Sequence, residues 1–514
     1  MTLLRAATWI ALALVATGAR ASTPLGVDAR SETLQIDFAV EGAQPLAWRA
    51  CWPGCEAARN DAAFGSEAEP LQLAVAVPGD PELSARIAAL PYRAERREDG
   101  GTVLLDFASE PLAEGVALRK SWRIPAHGYQ TAFELAFVGA GAEAFVRAHP
   151  VELRLTTGRA FEPPHEWGFA GLSEVLAAVR VEPGSVGNLG EGPGGAALAP
   201  GSWAGVRNRF WALLARSDAP ATVESPRADT VVFHPEPAAS HRLELYSGPI
   251  ERQLLRAADP ALEGLLFSHL WFWMRWLSTA LLLLLGALRA VVGNEGVAIL
   301  LLALCVKVLM RPLTATAERW QRGVNETRTR LQPELEAIKA GWSGSERSRR
   351  MLDLHREHGV NPFYGLKSLL GVLIQIPVFI AAYHMLDENF ALSRVGFLWI
   401  ADLAEPDRML TLPFAVPFFG DSLNLLPFVM SGVTIVSSRL HDDGTLAPEL
   451  LRGQRRGLYA MAFAFFALFY SFPAGMVLYW TSNNLVALAK DGISRWIPRG
   501  RDGFWRLALD TFRR

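Results

Sequence analysis

The chain has 514 residues, half of them hydrophobic and a fifth charged, with a mean hydropathy of +0.17. Its formal charge of −2 excludes the overall basic footprint that nucleic-acid binding demands. Glycine and proline near average abundance exclude a largely disordered chain. The apolar excess sits after residue 265 and in a short stretch at the start, which predicts a soluble domain followed by a membrane domain.

Residues 1–21 carry Arg5, an apolar run over 6–19, and Ala19-Arg20-Ala21 before Ser22. A charged start, an apolar middle and a small-x-small site make a signal peptide. The run is shorter than the roughly 20 apolar residues of a spanning helix, which favours cleavage over a retained anchor. Either way the following residues are exported.

Residues 25–250 are expected to form an all-β sandwich domain. The segments 34–39, 71–77, 102–107, 130–138 and 241–246 alternate apolar and polar. Turn residues separate them, as at Asp99-Gly100-Gly101 and Ala126-His127-Gly128. Many short strands of this kind favour a sandwich. The Gly-, Pro- and Ala-rich stretch 184–201 reads as a long loop. Cys51 and Cys55 have no second pair or His-x-x-x-His to complete a metal site. In an exported segment they can instead form a short disulfide. His127, His149, His165, His234 and His241 show no metal or triad spacing, so they read as surface or satisfied core histidines. No catalytic residue and no metal ligand is expected.

The membrane half opens with residues 257–292. Trp271, Trp273 and Trp276 with Arg275 suit a helix at the bilayer interface, although 276–288 is apolar enough to suggest a span. Five better spanning candidates follow: 297–310, 369–386, 423–436, 458–472 and 476–489. Pro377 and Pro427 are expected inside helices, which membrane bundles tolerate. Basic residues crowd 314–360, 439–456 and the tail 491–514, while 387–421 is mostly acidic. The positive-inside rule puts the basic segments in the cytoplasm, and five spans with an exported N-domain satisfy it. A sixth span over 277–292 would reverse the N-domain, against the signal sequence. Segment 314–360 reads as a cytoplasmic helical hairpin with its turn near Gly344. Its charge is either a solvated face or a docking surface for nascent chains or the ribosome.

Lys307 stands between three apolar residues on each side, in Leu304-Cys305-Val306-Lys307-Val308-Leu309-Met310. An ammonium at that depth costs roughly 2.5–3.5 kcal/mol on insertion scales. Snorkelling is one way to lower the cost, but Arg311 beside Pro312 already fits the interface, so Lys307 is expected to face inward. Polar partners occur in other segments: Gln375, Ser431 and Thr434, and Tyr479, Trp480, Thr481 and Asn483 in the last helix. Together with Lys307 they are expected to line a hydrophilic substrate groove. The spans hold no acidic partner for Lys307, which argues against an ion-coupled pump.

Several runs resemble the YidC-type membrane protein insertases of bacteria with two membranes. They are Val292-Gly293-Asn294, 306–314 (VKVLMRPLT), Val360-Asn361-Pro362, 373–377 (LIQIP), 399–403 (WIADL), 472–479 (FPAGMVLY) and Ser482-Asn483-Asn484-Leu485. Their order and spacing together are specific. Arg209-Phe210-Trp211-Ala212 and Tyr246-Ser247-Gly248-Pro249 extend the likeness loosely into the N-domain. The resemblance implies a multidomain protein of the inner membrane. An exported β-super-sandwich would precede an α-helical bundle of five core helices (293–490), with an interfacial helix and a cytoplasmic hairpin. It implies a non-enzymatic insertase and chaperone, alone or with the Sec translocon, that receives nascent membrane proteins and contacts membrane lipids. No cofactor, metal or nucleic-acid substrate is implied. The groove cation maps onto Lys307, where the family often has Arg; Lys keeps the charge but not the bidentate geometry. The other function classes are a transporter or channel and a membrane-tethered periplasmic carbohydrate-active protein.

Overall fold

In a computed structural model, residues 26–65, 72–113, 115–158, 161, 176–361, 363–364, 370–417, 419–440 and 448–496 are described. The signal-like segment 1–21 and most of the tail lie outside them. The chain divides into two compact units, Met1–His165 with Glu174–Leu265, and Glu166–Ser173 with Leu266–Arg514.

The first unit is built of antiparallel strands. They begin with β1 (Val27–Arg30), β2 (Leu34–Phe38), β3 (Pro45–Trp52), β4 (Asn60–Ala63) and β5 (Gln72–Ala76). Next come β6 (Tyr92–Asp99), β7 (Thr102–Ser109), β8 (Ala117–Ile124), β9 (Gln130–Val138) and β10 (Glu152–Thr156). Then follow β11 (Ala177–Glu182), β12 (Ser185–Asn188), β13 (Gly192–Leu198) and β14 (Trp203–Arg207). The last are β15 (Trp211–Ser217), β16 (Ala221–Arg227), β17 (Thr230–Pro235) and β18 (Ser240–Pro249). They make a four-stranded sheet (β1-β2-β3-β4), a five-stranded sheet (β13-β16-β17-β10-β5) and a nine-stranded sheet (β12-β11-β14-β15-β18-β9-β8-β7-β6). Helices α1 (Pro81–Ala88), α2 (Ala142–Ala148) and α3 (Arg252–Ala258) are short additions.

Alternation decides which side chains meet. Along β7 and β9 every second residue is buried, as a two-residue period requires. Those residues join Phe38 of β2 and Trp48 of β3 in one aromatic core. Trp122 is its hub, with ring centroids 5.2 Å from Phe38, 5.8 Å from Trp48 and 4.6 Å from Phe133. Such tilted and edge-on pairs add to the burial energy. Cys51 and Cys55 form a disulfide, and the Tyr129 hydroxyl donates to the Cys51 carbonyl at 2.8 Å. The loop expected over 184–201 is replaced by β12 and β13. Small residues show no alternation, yet their backbone groups pair with β11 and β16. Of the histidines, His127 meets Glu32 on the surface, His234 lies near Glu224 and Glu152, and His241 is buried. His165 lies outside the described residues.

The second unit is helical: α4 (Phe272–Val292), α5 (Glu295–Leu309), α6 (Arg311–Gly341), α7 (Gly344–Glu357), α8 (Leu370–Asp387), α9 (Leu425–Leu440), α10 (Pro448–Phe469) and α11 (Ala474–Trp496). Helices α5, α8, α9, α10 and α11 fall on the five stretches expected to span. By length and apolarity, α4 is the one described helix that passes by itself as a membrane span, and α5 with α6 pass together as a pair bent by 61°. Pro312 at the start of α6 accompanies that bend. Gly344, at φ +61°, opens α7 and turns the helical hairpin. Pro377 is interior to α8. Pro427 instead occupies the first turn of α9, where its missing N–H removes no helical bond. Residues of the acidic segment form a hairpin, β19 (Leu410–Val416) and β20 (Gly420–Leu423).

Candidate functional site

Helix α5 starts at Asn294, whose side chain accepts a hydrogen bond from the Val297 N–H at 3.0 Å, satisfying one of the free donors of the first turn. After Glu295 in the first turn, its sequence carries no charge until Lys307 in the last turn. Residues Ala298, Ile299, Leu302, Ala303 and Val306 are buried, because α5 packs on both α4 and α11. Lys307 is half-buried, and its ammonium donates to the main-chain carbonyl of Asn483 in α11. A helical carbonyl has a second lone pair to offer such a donor, and the charge makes the bond a strong one.

Helix α11 supplies most of the other expected residues. Thr481 and Ser482 are buried and donate back to the carbonyls of Val477 and Leu478 at 2.7 and 2.6 Å. The Asn483 amide donates to the Tyr479 carbonyl at 3.1 Å. Hydroxyls and amides in helices often fold back on the preceding turn in this way, which lets a polar run sit in an apolar bundle. Tyr479 is buried. Trp480 enters an aromatic cluster, with ring centroids 5.1 Å from Phe379, 5.3 Å from Phe465 and 5.4 Å from Phe469.

On α9, the Thr434 hydroxyl donates to the Met430 carbonyl at 2.8 Å and accepts from the Asn484 amide, also at 2.8 Å. One turn earlier, the Ser431 hydroxyl is enclosed with no partner among the described residues. Gln375 is exposed on α8. The structure therefore joins Lys307 to Asn483 through the main chain. It ties Thr434 to α11 through Asn484, and leaves Gln375 at the surface.

Asn484, in the polar run of the last helix, provides the link between α9 and α11. One further participant went unrecognised in the sequence. Glu318 lies 3.9 Å from Arg311 and 2.8 Å from the Lys490 ammonium, so it connects the start of α6 to the last turns of α11. Its signal was the seven-residue spacing from Arg311, which puts both on one helix face.

The family described as 60Kd inner membrane protein matches residues 287–496. The membrane protein insertase YidC of Cellvibrio japonicus is 33% identical over 274 residues, covering 52% of this chain and 44% of that protein. Its counterpart in Ralstonia nicotianae is 32% identical over 259 residues, 50% of this chain and 42% of that one. That of Pelobacter propionicus is 30% identical over 272 residues, with coverages of 52% and 46%. The match thus spans less than half the length of these relatives. An active YidC insertase structure with its first transmembrane domain resolved gives a TM-score of 0.36 at 18% identity, over 95% of this chain and 99% of that one. YidC from Thermotoga maritima gives 0.30 at 14%, with coverages of 91% and 99%. Residues 287–496 thus match the 60Kd inner membrane protein family, and about half of the chain is similar to YidC-type membrane protein insertases.

Proposed function

We propose that this protein is a non-catalytic insertase and chaperone that helps nascent membrane proteins enter and fold in the bacterial inner membrane. The observation that carries it is the position of Lys307, a cation closing the apolar stretch of α5, half-buried against the polar run of α11. A charge kept at that depth is expensive unless it is hydrated or bonded. Held against the Asn483 carbonyl, it lines a hydrophilic recess and attracts the acidic or polar part of an entering segment. The barrier falls because that segment travels a shorter distance without polar contact. Lys307, Gln375, Ser431, Thr434, Tyr479, Trp480, Thr481 and Asn483 are its proposed lining.

Five core helices cross the membrane in this arrangement. The β unit is outside, α6 and α7 are cytoplasmic, and α4 lies along the outer interface with its exposed Trp271, Phe272 and Trp276. The Sec translocon and the ribosome are the proposed partners, and no nucleic-acid substrate is involved. The test is depletion of the protein in its host, followed by protease accessibility of a small membrane protein with a short exported region. Impaired insertion, restored by the wild-type chain, is expected. Normal insertion after depletion overturns the proposal.

A further inference from the structure

We propose that His269, His384 and Glu388 form a binding site for a divalent metal ion of the zinc class. His384 and Glu388 straddle the end of α8, four residues apart on one face. The helical bond continues across them, from the Glu388 N–H to the His384 carbonyl at 2.9 Å. His269 comes from the turn ahead of α4, where Phe267 adopts φ +54° and its carbonyl accepts from the Leu270 N–H at 3.0 Å. That turn also aims the Phe267 N–H at Glu388 Oε2, 3.3 Å away. One carboxylate oxygen is thereby engaged, and Oε1 faces the two imidazoles. Such orienting bonds from the surrounding backbone are what fix a metal ligand.

Three ligand atoms converge. His269 Nε2 is 2.9 Å from His384 Nδ1 and 3.4 Å from Glu388 Oε1, and His384 Nδ1 is 3.5 Å from the same oxygen. Around an ion with bonds of about 2.0–2.1 Å in tetrahedral geometry, neighbouring ligand atoms lie about 3.3–3.4 Å apart. Two of the three edges already fit. The third needs to open by roughly 0.4 Å relative to that tetrahedral edge, which a small rotation of His269 supplies.

The donor set decides the class of ion. Calcium and magnesium take oxygen ligands, whereas two imidazoles and a carboxylate suit zinc. Burial decides the coordination: the side chains of Glu388 and His384 are 8% and 18% exposed and that of His269 is 48% exposed. The open side admits a fourth ligand from solvent. Bound there, the ion fastens the turn ahead of α4 to the end of α8. No other trio of His, Cys, Asp or Glu among the described residues is so placed.

The test uses the full-length chain in detergent without a polyhistidine tag. It is equilibrated with zinc chloride, freed of excess metal and analysed by elemental mass spectrometry. One zinc per chain is expected. His269→Ala and Glu388→Gln should weaken binding more than about 100-fold, the upper end of what losing a merely supporting partner does. His358→Ala, on the helical hairpin, should leave it intact. Glu388 also holds the Phe267 backbone, so the exposed His269→Ala variant keeps the test decisive if Glu388→Gln misfolds. Substoichiometric zinc in the wild type, unchanged zinc in His269→Ala, or equal retention of magnesium overturns the proposal.

Discussion

The Lys307 ammonium of α5 is bonded to the main-chain carbonyl of Asn483 in α11, 176 residues further along the chain. The bond ties the first core helix to the last at the level of a polar run, so one contact both offsets the cost of the charge and fixes where it stands. A cation kept for function rather than stability has a recognisable signature, because removing it relieves the protein and harms only its task.

Lys307→Leu should therefore leave the melting temperature of the purified protein unchanged or raised while membrane-protein insertion falls. The insertion scales put the relieved cost at roughly 2.5–3.5 kcal/mol, set against the lost charged hydrogen bond of about 1.5–3 kcal/mol. Lys307→Arg should keep insertion. Asn483→Ala should be milder than Lys307→Leu, since the acceptor is the backbone and survives the substitution. Protease accessibility of a client in a depleted strain, paired with thermal unfolding in detergent, checks the series. A Lys307→Leu protein that inserts clients normally reduces the lysine to an anchor for its helix.

The amide of Asn484 and the hydroxyl of Thr434 join α11 to α9 at 2.8 Å. Interhelical bonds of this kind in membrane proteins are worth about 0.6 kcal/mol on average and rarely more than about 1.7. A double-mutant cycle with Asn484→Ala and Thr434→Val, followed by unfolding in detergent, should return a coupling in that range. Strict additivity would mean the two groups do not meet.

Gly296, in the first turn of α5, faces the Phe397 ring so closely that an added Cβ would lie 2.1 Å from it. Gly296→Ala must push the ring or the helix, and overpacking of that kind costs about 1–3 kcal/mol. Phe397→Ala should recover much of the loss when combined with it. The melting temperatures of the two single variants and the double variant measure this. A Gly296→Ala protein as stable as the wild type would show that the ring has room to move.

Legibility in the sequence followed the strength of the periodic signal. Strands such as β7 and β9 announce themselves by alternation, and the helical hairpin by its charge pattern and Gly344. By contrast, β12 and β13 have little side chain with which to alternate; neighbouring strands, far off in the sequence, supply their hydrogen bonds. Lys307 was legible because a cation in an apolar run is conspicuous. Its acceptor was not, since a main-chain carbonyl belongs to every residue type. Trp480 looked like part of a polar stretch, yet its ring contacts with Phe379, Phe465 and Phe469 come from two other helices. His269 and His384 are 115 residues apart, with no spacing to connect them before folding.

Lys120 in β8 gives the β unit a pH dependence. Its side chain is buried, donates to the Gly42 carbonyl at 2.5 Å and stands 5.4 Å from the centre of the Tyr92 ring. Burial disfavours the charged form and lowers its pKa from 10.5 to about 7. Between those two values the unfolded chain holds the proton and the folded chain does not. Stability contributed by this group therefore rises with pH from about 7 toward 10.5, by at most about 1.4 kcal/mol per pH unit. Below pH 7 the fold carries a buried ammonium and its full desolvation cost. Lys120→Met removes the titration and leaves the Gly42 carbonyl without that donor, a loss of about 1–3 kcal/mol that does not vary with pH. The variant should fare best against the wild type at pH 6, and its relative stability should decline as the pH approaches 9. Denaturant titrations of both full-length proteins, followed by the fluorescence of the buried Trp48 and Trp122, read the difference directly. Parallel stability curves across that interval would mean that Lys120 keeps an ordinary proton affinity inside the sheet.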